Sequence, residues 1–298
     1  MTRISTCIIT LNCDKTLEIC LKSIKHFSDE IVIVDGGSTD NTIDIAKKYA
    51  DKVFIHKWEN NFALQRNKAF QYAKGDWIFI IDSDEFVGNN FGNKMRELIA
   101  NHKYIGYLFP RAWIIKADDI FHFDRQYTES NPLNPPLQKG EIREGLRRGE
   151  FKEGGRQPDR KVSGKTCQTD IPGYITAPPF NQVCMRMIQK NIVNKFQFIA
   201  PVHEELMHEF YPDVGRGRFA VTRTLPIYHL CLLKSREERL NTVKYYESLK
   251  TNGGMPELYL YEDYNYETEL LDTTNMPDYA LEFINAKTCL KEREVVKI

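Results

Sequence analysis

The sequence lacks an apolar stretch long enough to cross a membrane, so no membrane-spanning segment is expected. It also lacks a CxxC cysteine pair, which disfavours a zinc site, and the odd total of 7 cysteines disfavours a complete disulfide framework. Reduced thiols are typical of cytosolic proteins. The first residues run directly into a predicted strand and leave no room for a signal peptide. We therefore expect a cytoplasmic protein, and any membrane contact is expected to be peripheral, at the inner face.

The sequence also lacks a net charge, because 41 Lys and Arg residues balance 41 Asp and Glu residues. No global field therefore favours nucleic acid or an anionic membrane as a partner. Neither the GxGxxG dinucleotide fingerprint nor the GxxxxGK[ST] phosphate loop occurs in the sequence. A phosphate site built on a P-loop is therefore not expected.

Three carboxylates in four positions follow a strongly apolar run at residues 77–81, which is typical of a strand buried on both faces. In open α/β sheets, ligands bind beyond the carboxyl ends of the strands. Asp82 and Asp84 are two apart, so an extended backbone would point them to the same side. This arrangement, with Glu85 beside it, favours a hard divalent cation held against a further anion such as a phosphate. A solvated acidic turn is the alternative.

Apolar strands alternate with helical periodicity over the first hundred residues, which predicts an α/β fold. Right-handed crossovers make the expected sheet parallel, with helices on both faces. The predicted strands are residues 7–11, 31–34, 53–55, 77–81, 104–109, 112–115 and 182–188. Residues 139–165 then carry nine Lys and Arg against five Asp and Glu, with almost nothing to bury. This pattern indicates an insertion or lid, either a solvated loop or a basic surface for an acceptor or a diphosphate.

Four motifs, at residues 9–12, 34–42, 58–67 and 76–85, resemble the signatures of family 2 glycosyltransferases in their order and spacing. They read ITLN, VDGGSTDNT, WENNFALQRN and DWIFIIDSDE. The third motif is similar to the branch that contains lipopolysaccharide-core β-glucosyltransferases. The resemblance is close over residues 4–115 and looser over residues 181–250. It implies the GT-A fold, an α/β fold with a mixed, mainly parallel sheet.

The resemblance implies an inverting transfer of a sugar from a nucleotide-diphosphate sugar, with UDP expected, to a glycan, lipid-linked or protein acceptor. Asp84, as part of the family's DxD motif, and a late histidine, His229, would bind Mn²⁺ or Mg²⁺. Such an ion stabilises the leaving diphosphate by roughly several kcal/mol. The implied nucleotide-binding residues are Thr10, Asn12, Asp35, Arg66, Asp82 and Ser83.

The residues themselves leave other interpretations open for these side chains. Asp35 by itself is typical of a turn that caps its own loop. Arg66 is compatible with an exposed helix face, and His229 with a buried, hydrogen-bonded histidine. Glu85 would either orient Asp84 or bind the acceptor.

A hydroxyl acceptor needs a base, and a positioned carboxylate typically contributes about 10²–10⁴-fold. The resemblance assigns that role to Glu204. Glu205 stays an alternative, because neighbours in a strand face opposite sides. His203 would line the phosphate or acceptor site or serve as a structural group, and Arg186 is an acceptor-side candidate.

We predict a GT-A domain at residues 1–235, with a nucleotide-sugar half at 1–105 and an acceptor-side insertion at 118–180. A helical extension is predicted at 236–298, opened by a capping box at Ser235. The alternatives are a nucleotide- or glycan-binding module without catalysis and a sugar nucleotidyltransferase. The last would need a basic glycine-rich loop after the first strand, which residues 12–15 do not supply.

Overall fold

The computed structural model describes residues 2–100, 104–116, 119–121, 183–191, 196–199, 205–208, 219–222, 224–249, 268–270 and 273–295. The strands are β1 Ile4–Thr10, β2 Glu30–Asp35, β3 Lys52–Ile55, β4 Trp77–Ile80, β5 Glu85–Val87, β6 Gly106–Lys116, β7 Asp119–Phe121, β8 Val183–Gln189, β9 Phe196–Ile199, β10 Glu205–His208, β11 Phe219–Val221, β12 Ile227–His229 and β13 Thr268–Leu270. The helices are α1 Asp14–Lys25, α2 Thr42–Tyr49, α3 Phe62–Tyr72, α4 Phe91–Ala100, α5 Arg236–Ser248 and α6 Asp278–Val295. Among these residues, no helix combines the length and the apolar character that a membrane span requires.

The main sheet has the strand order β13-β7-β6-β8-β4-β1-β2-β3, which confirms a mixed α/β fold. Strands β3, β2, β1 and β4 are parallel to one another, as the alternation of strands and helices predicts. Beyond β4 the sheet changes direction, because β8 runs antiparallel to both β4 and β6. Parallel pairing therefore dominates only the half of the sheet that β4, β1, β2 and β3 form.

Helices cover both faces of this sheet, as predicted. Residues of α1, α2 and α4 pack on one face, against inward side chains such as Ile8 and Phe79. Residues of α3 pack on the other face, with Phe70 against Ile78 and Ile80. Burying an aliphatic or aromatic side chain of this size contributes about 1.5–3 kcal/mol. These two layers hold the carboxyl ends of β1, β2 and β4 at one edge.

The prediction of two separate strands at 104–109 and 112–115 is wrong, because β6 is one strand. Pro110 has no N–H to donate, which disfavours a place inside a sheet. Here β6 exchanges neighbours around Pro110, pairing with β11 through Gly106–Leu108 and with β12 from Arg111 onward. The missing donor therefore falls at the gap between two partner strands.

The carboxyl-terminal residues contribute more than the predicted helices. Strand β13 pairs antiparallel with β7 at an edge of the main sheet. Helix α6 places Ala280 and Ile284 in a buried cluster with Phe86 and Tyr228. The boundary at residue 235 stays a prediction, but the segment after it shares its core with the segment before it.

Candidate active site

The acidic stretch after β4 forms a turn, so the expectation of an extended backbone at Asp82 and Asp84 is wrong. The N–H of Glu85 donates to the carbonyl oxygen of Asp82 at 3.0 Å, which closes the turn. The N–H of Asp82 donates in return to Oε2 of Glu85 at 2.9 Å. The two aspartates consequently meet different partners.

Asp82 lies among three guanidinium groups that come from three different elements. Arg66 on α3 donates to Oδ1 at 2.6 Å, and Arg186 on β8 donates to Oδ2 at 3.0 Å. Arg111 on β6 donates to Oδ2 at 3.2 Å. Burial alone would raise the pKa of Asp82, but these cations hold it well below its usual value. The three guanidinium groups therefore favour the ionised form of Asp82.

Glu85 is fully buried and is the second anion of this cluster. Its Oε1 lies 2.8 Å from Nη2 of Arg186 and 2.9 Å from Nε of Arg111. A buried carboxylate is stable only when it is paired in this way. Glu85 thus pairs with arginines and leaves no exposed surface for an acceptor, while its orientation of Asp84 stays a prediction.

Asp84 meets a different set of partners, His229 and Lys234, in the segment that leads into α5. Its Oδ1 lies 3.1 Å from Nε2 of His229, and its Oδ2 lies 3.6 Å from Nζ of Lys234. Burial alone would raise the pKa of Asp84, but these two partners hold it well below its usual value. The structure thus brings together the two residues that the resemblance assigns to a metal ion.

The donor atoms of Asp84 and His229 fit a divalent cation. Sγ of Cys231 lies 3.6 Å from Nδ1 of His229, which leaves Nε2 directed at the carboxylate. Carboxylate oxygen and imidazole nitrogen both suit Mn²⁺. Within the described part of the chain, no group of three His, Cys, Asp or Glu side chains is placed to hold a metal. Substrate phosphates and water commonly complete the coordination of such ions.

Asp35, at the end of β2, is engaged by its own loop. Its Oδ1 accepts the N–H groups of Gly37 and Ser38 at 2.8 and 2.7 Å. Its Oδ2 accepts the hydroxyls of Thr10 and Ser38 at 2.7 and 2.6 Å. Four donors fill the lone-pair sites of a carboxylate. This geometry matches the loop-capping alternative, and the contact with a nucleobase stays a prediction.

Asn12 crosses the same edge and joins the ends of β1 and β2. Its φ of 49° lies in the left-handed region, which asparagine tolerates better than most residues. The hydroxyl of Ser38 accepts the N–H of Asn12 at 2.8 Å, and Oδ1 of Asn12 accepts the N–H of Thr39 at 2.9 Å. Ser83 is half-buried near the Cys13 thiol at this edge.

The sequence did not single out Arg111, which the structure places at the centre of the site. A signal was available, because Arg111 interrupts an apolar run between Phe109 and Trp113. A cation inside a buried strand requires an anionic partner. The sequence does not say which of the many acidic residues supplies it.

The candidate base Glu204 and its neighbour His203 lie outside the described residues. Glu205 opens β10, which pairs antiparallel with β9, but its side chain is also outside them. Asn67 of α3 fixes β9 by two hydrogen bonds with the backbone of Phe198, at 2.8 and 3.0 Å. The β9–β10 hairpin is thus anchored to the helix that carries Arg66.

Three comparisons relate this chain to known proteins. The family model described as glycosyl transferase family 2 matches residues 5–163. An uncharacterized glycosyltransferase of Rickettsia typhi is 32% identical over 134 residues, which cover 45% of this chain and 44% of that protein. The SPbeta prophage-derived glycosyltransferase SunS of Bacillus subtilis is 38% identical over 96 residues, which cover 31% of this chain and 23% of that protein. The matches therefore span less than half the length of these relatives.

Two solved structures show weaker likenesses. TarS of S. aureus, in complex with UDP-GlcNAc, is 17% identical, with a TM-score of 0.47 over 86% of this chain and 69% of that one. Glucosyl-3-phosphoglycerate synthase of Mycobacterium tuberculosis, in complex with Mn²⁺ and UDP-glucose, is 21% identical, with a TM-score of 0.33 over 38% of this chain and 44% of that one. Likeness at this level says nothing about the ligands of the present chain.

Proposed function

Because the chain belongs to glycosyl transferase family 2, we propose that it moves a sugar from a nucleotide-diphosphate sugar to an acceptor hydroxyl, with inversion at the anomeric carbon. The observation that carries this proposal is the convergence of Asp84, His229, Lys234 and Arg66 at the carboxyl edge of the parallel strands. That edge is where ligands of open α/β sheets bind.

Cations at this edge would bind the diphosphate of the donor. Arg66 presents a planar group that suits phosphate oxygens, and Lys234 adds a compact charge. Both lie against carboxylates in the present structure, Arg66 at 2.6 Å from Asp82 and Lys234 at 3.6 Å from Asp84. A diphosphate would compete for these cations, so donor binding would rearrange partners that are already in place.

Asp84 and His229 would hold Mn²⁺ or Mg²⁺, with the donor atoms described above. When bound, such an ion neutralises charge that develops on the leaving diphosphate. Asp82 and Glu85 would instead fix the arginines. The loop at residues 35–40, braced by Thr10 and Asn12, would receive the nucleoside, with UDP as the proposed nucleotide.

Glu204 would remove the proton of the acceptor hydroxyl as the anomeric carbon is attacked, with Glu205 as the alternative base. Arg186 is buried against Asp82 and Glu85, so a direct contact with the acceptor would require its displacement. The acceptor is proposed to be a glycan, a lipid-linked molecule or a protein. The branch of lipopolysaccharide-core enzymes and a cytoplasmic location, with peripheral contact at the inner face of a membrane, also stay proposals.

Titration calorimetry with UDP, GDP and CDP, with and without Mn²⁺, tests the proposal. We expect one nucleotide to bind in Mn²⁺ and the affinity to fall when the ion is omitted. Asp84→Asn should lose the dependence on Mn²⁺, whereas Asp44→Asn on α2 should bind as the wild-type chain does. Failure of all three nucleotides to bind would reject the enzyme and favour a glycan-binding module.

A further inference from the structure

Helix α5 is tied to both ends of the proposed donor site. Lys234, which precedes the N-cap of the helix, lies 3.6 Å from Asp84. In the last turn of the helix, the hydroxyl of Tyr245 accepts the indole N–H of Trp58 at 2.7 Å. The same hydroxyl donates to Oδ1 of Asn60 at 2.9 Å. The helix therefore spans from the acidic turn to the loop at residues 58–61.

Trp58 in turn holds the loop that follows β2. Its backbone N–H donates to the carbonyl oxygen of Gly36 at 2.9 Å. A Cβ atom at Gly36 would lie 3.2 Å from Cβ of Trp58 and 3.2 Å from Cδ1 of Leu11, so the two residues enclose the Gly36 backbone. Gly36 follows Asp35, whose carboxylate organises the loop. A shift of Trp58 would therefore reach the proposed nucleoside site.

Asn60 and its neighbour connect the same loop to the diphosphate end. Asn60 has a φ of 54°, a left-handed conformation that costs most non-glycine residues free energy. Asn61 caps α3, because its Oδ1 accepts the N–H of Leu64 at 2.9 Å. Helix α3 carries Arg66, which lies 2.6 Å from Asp82. The position of residues 58–61 thus bears on both Gly36 and Arg66.

Aromatic contacts also join α5 to the loop at residues 58–61. We call this contact between Tyr245 and Tyr246 of α5 and residues 58–62 the junction. The ring of Phe62 meets Trp58 edge to face at 4.7 Å and Tyr246 of α5 edge to face at 6.1 Å. Such pairs contribute about 0.5–1.5 kcal/mol beyond their buried area. Because they hold α5 against the loop, removal of the Tyr245 hydroxyl alone should leave the helix docked.

We propose that Tyr245 is a positioning residue for the donor. Through Trp58 and Asn60, the hydroxyl of Tyr245 holds the loop at residues 35–40 and Arg66 in the geometry that binds a nucleotide diphosphate. This inference rests on the proposed function. Loss of this hydroxyl should affect the binding of the donor, because misplaced contacts weaken binding equally in the ground state and in the transition state. Donor affinity should fall, while kcat at saturating donor stays near the wild-type value.

Tyr245→Phe and Trp58→Phe test the proposal, since each keeps a ring and removes one hydrogen-bonding group. The probe is the nucleotide among UDP, GDP and CDP that the wild-type chain binds best in Mn²⁺. Each single variant should bind it about fivefold to tenfold more weakly, the effect of a lost hydrogen bond of ordinary strength. The double variant should be no weaker than the weaker single variant, because both act through one junction.

Tyr49→Phe is the matched control, because it also removes a tyrosine hydroxyl that donates to a side chain, Glu18, at 2.7 Å. It should leave nucleotide affinity unchanged. Wild-type affinity in Tyr245→Phe, with or without a lower Tm, would make the junction merely structural and overturn the inference. Additive losses in the double variant would also overturn it. If the wild-type chain bound no nucleotide, the proposed function and this inference would fail together.

Discussion

Asp82 and Asp84 stand two positions apart, yet their carboxylates face different partners. Asp82 is surrounded by guanidinium groups, whose distances to it are 2.6 to 3.2 Å. Asp84 faces His229 and Lys234. The turn between them therefore separates an anion that organises arginines from an anion that is available to a metal ion and a diphosphate.

The ion pairs of Glu85 lead to a stability prediction. Arg186→Met should lower the free energy of unfolding by about 3–5 kcal/mol, because breaking a buried pair leaves an uncompensated charge. Urea denaturation measures this change. Adding Glu85→Gln to Arg186→Met should recover part of the loss, since the double variant no longer buries the glutamate charge. Arg3→Met, at an exposed position, is the control and should stay within about 0.5 kcal/mol of the wild-type chain.

A wild-type free energy of unfolding in Arg186→Met would contradict the buried pairing of Glu85 at 2.8 Å. The pairing would also be contradicted if adding Glu85→Gln to Arg186→Met lowered the free energy of unfolding further, by the full cost of a second lost interaction. Either result would mean that Arg111 alone compensates the charge.

The assignment of Glu204 as the base leads to a kinetic prediction. Glu204→Gln should reduce the rate of transfer by about 10²-fold or more, because the acceptor hydroxyl loses its proton acceptor. Nucleotide affinity should not change, since the base acts on the acceptor. Single-turnover transfer and calorimetry measure the two quantities separately. Glu205→Gln serves as the comparison, and a loss confined to that variant would move the role to Glu205.

The acidic part of this site could be predicted because its residues are close to one another in the sequence. The acidic run at residues 82–85 follows its strand directly, so its place at the edge of the sheet could be inferred from the order of elements. The pairing of Arg111 and Arg186 with that run could not. Those arginines come from strands 26 and more residues away, and only the sheet order brings them together.

At the scale of elements, α5 begins at the capping box that the sequence predicts. The hydroxyl of Ser235 accepts the N–H of Glu238 at 3.2 Å, and Oε2 of Glu238 accepts the N–H of Ser235 at 2.9 Å. Oε1 of Glu238 also lies 3.1 Å from Nζ of Lys15. The cap is local in sequence, whereas the contact with Lys15 required the tertiary structure.

The capping box predicts a pH dependence of stability. The backbone N–H of Ser235 is the main cause that lowers the pKa of Glu238 to about 2, with Lys15 assisting. Because the folded pKa lies below the unfolded value of about 4.3, the stabilisation is complete above that pH and is lost as pH falls toward 2. Glu238→Gln should cost about 1 kcal/mol or less at neutral pH, since Glu238 is half exposed.

Denaturant titrations of the wild-type and Glu238→Gln chains from pH 7 to pH 3 measure the difference in free energy of unfolding. The difference should be constant above about pH 5 and shrink below it. Glu237→Gln, one residue earlier in the same first turn, is the control for helix-dipole effects. An equal and pH-independent cost in both variants would contradict the specific role of Glu238.

Across the whole molecule, one half of the sheet has strands whose places could be predicted from the sequence, and the other half has strands whose places were harder to predict. Strands β1 to β4 with their helices follow a local periodicity, and the sequence places them correctly. The insertion of β8 between β4 and β6, and the return of β13 to the edge beyond β7, depend on contacts between distant residues. Periodicity carries no information about such partners, so the expectation of a mixed sheet did not say which strands pair antiparallel.

The carboxyl-terminal segment docks on the domain through a close approach at Gly88. The carbonyl oxygen of Asn275 accepts the N–H of Asn89 at 2.7 Å, and its Oδ1 accepts the N–H of Asn90 at 3.0 Å. A Cβ atom at Gly88 would lie 2.5 Å from Nδ2 and 2.8 Å from the carbonyl oxygen of Asn275. The backbone is among the atoms contacted, so the segment that leads into α6 would have to move.

Gly88→Ala should therefore destabilise the chain by about 1–3 kcal/mol, the usual cost of overpacking. The loss should concentrate in α6, because Met276 and Ile284 are buried behind the Asn275 contact. Hydrogen exchange read by mass spectrometry should show faster exchange in α6 and nearly unchanged exchange in β1 and β4. Gly37→Ala is the matched control, since its φ of 96° strains its own loop without touching α6. Wild-type exchange of α6 in Gly88→Ala would show that the helix is held by its apolar face rather than by the Asn275 contact.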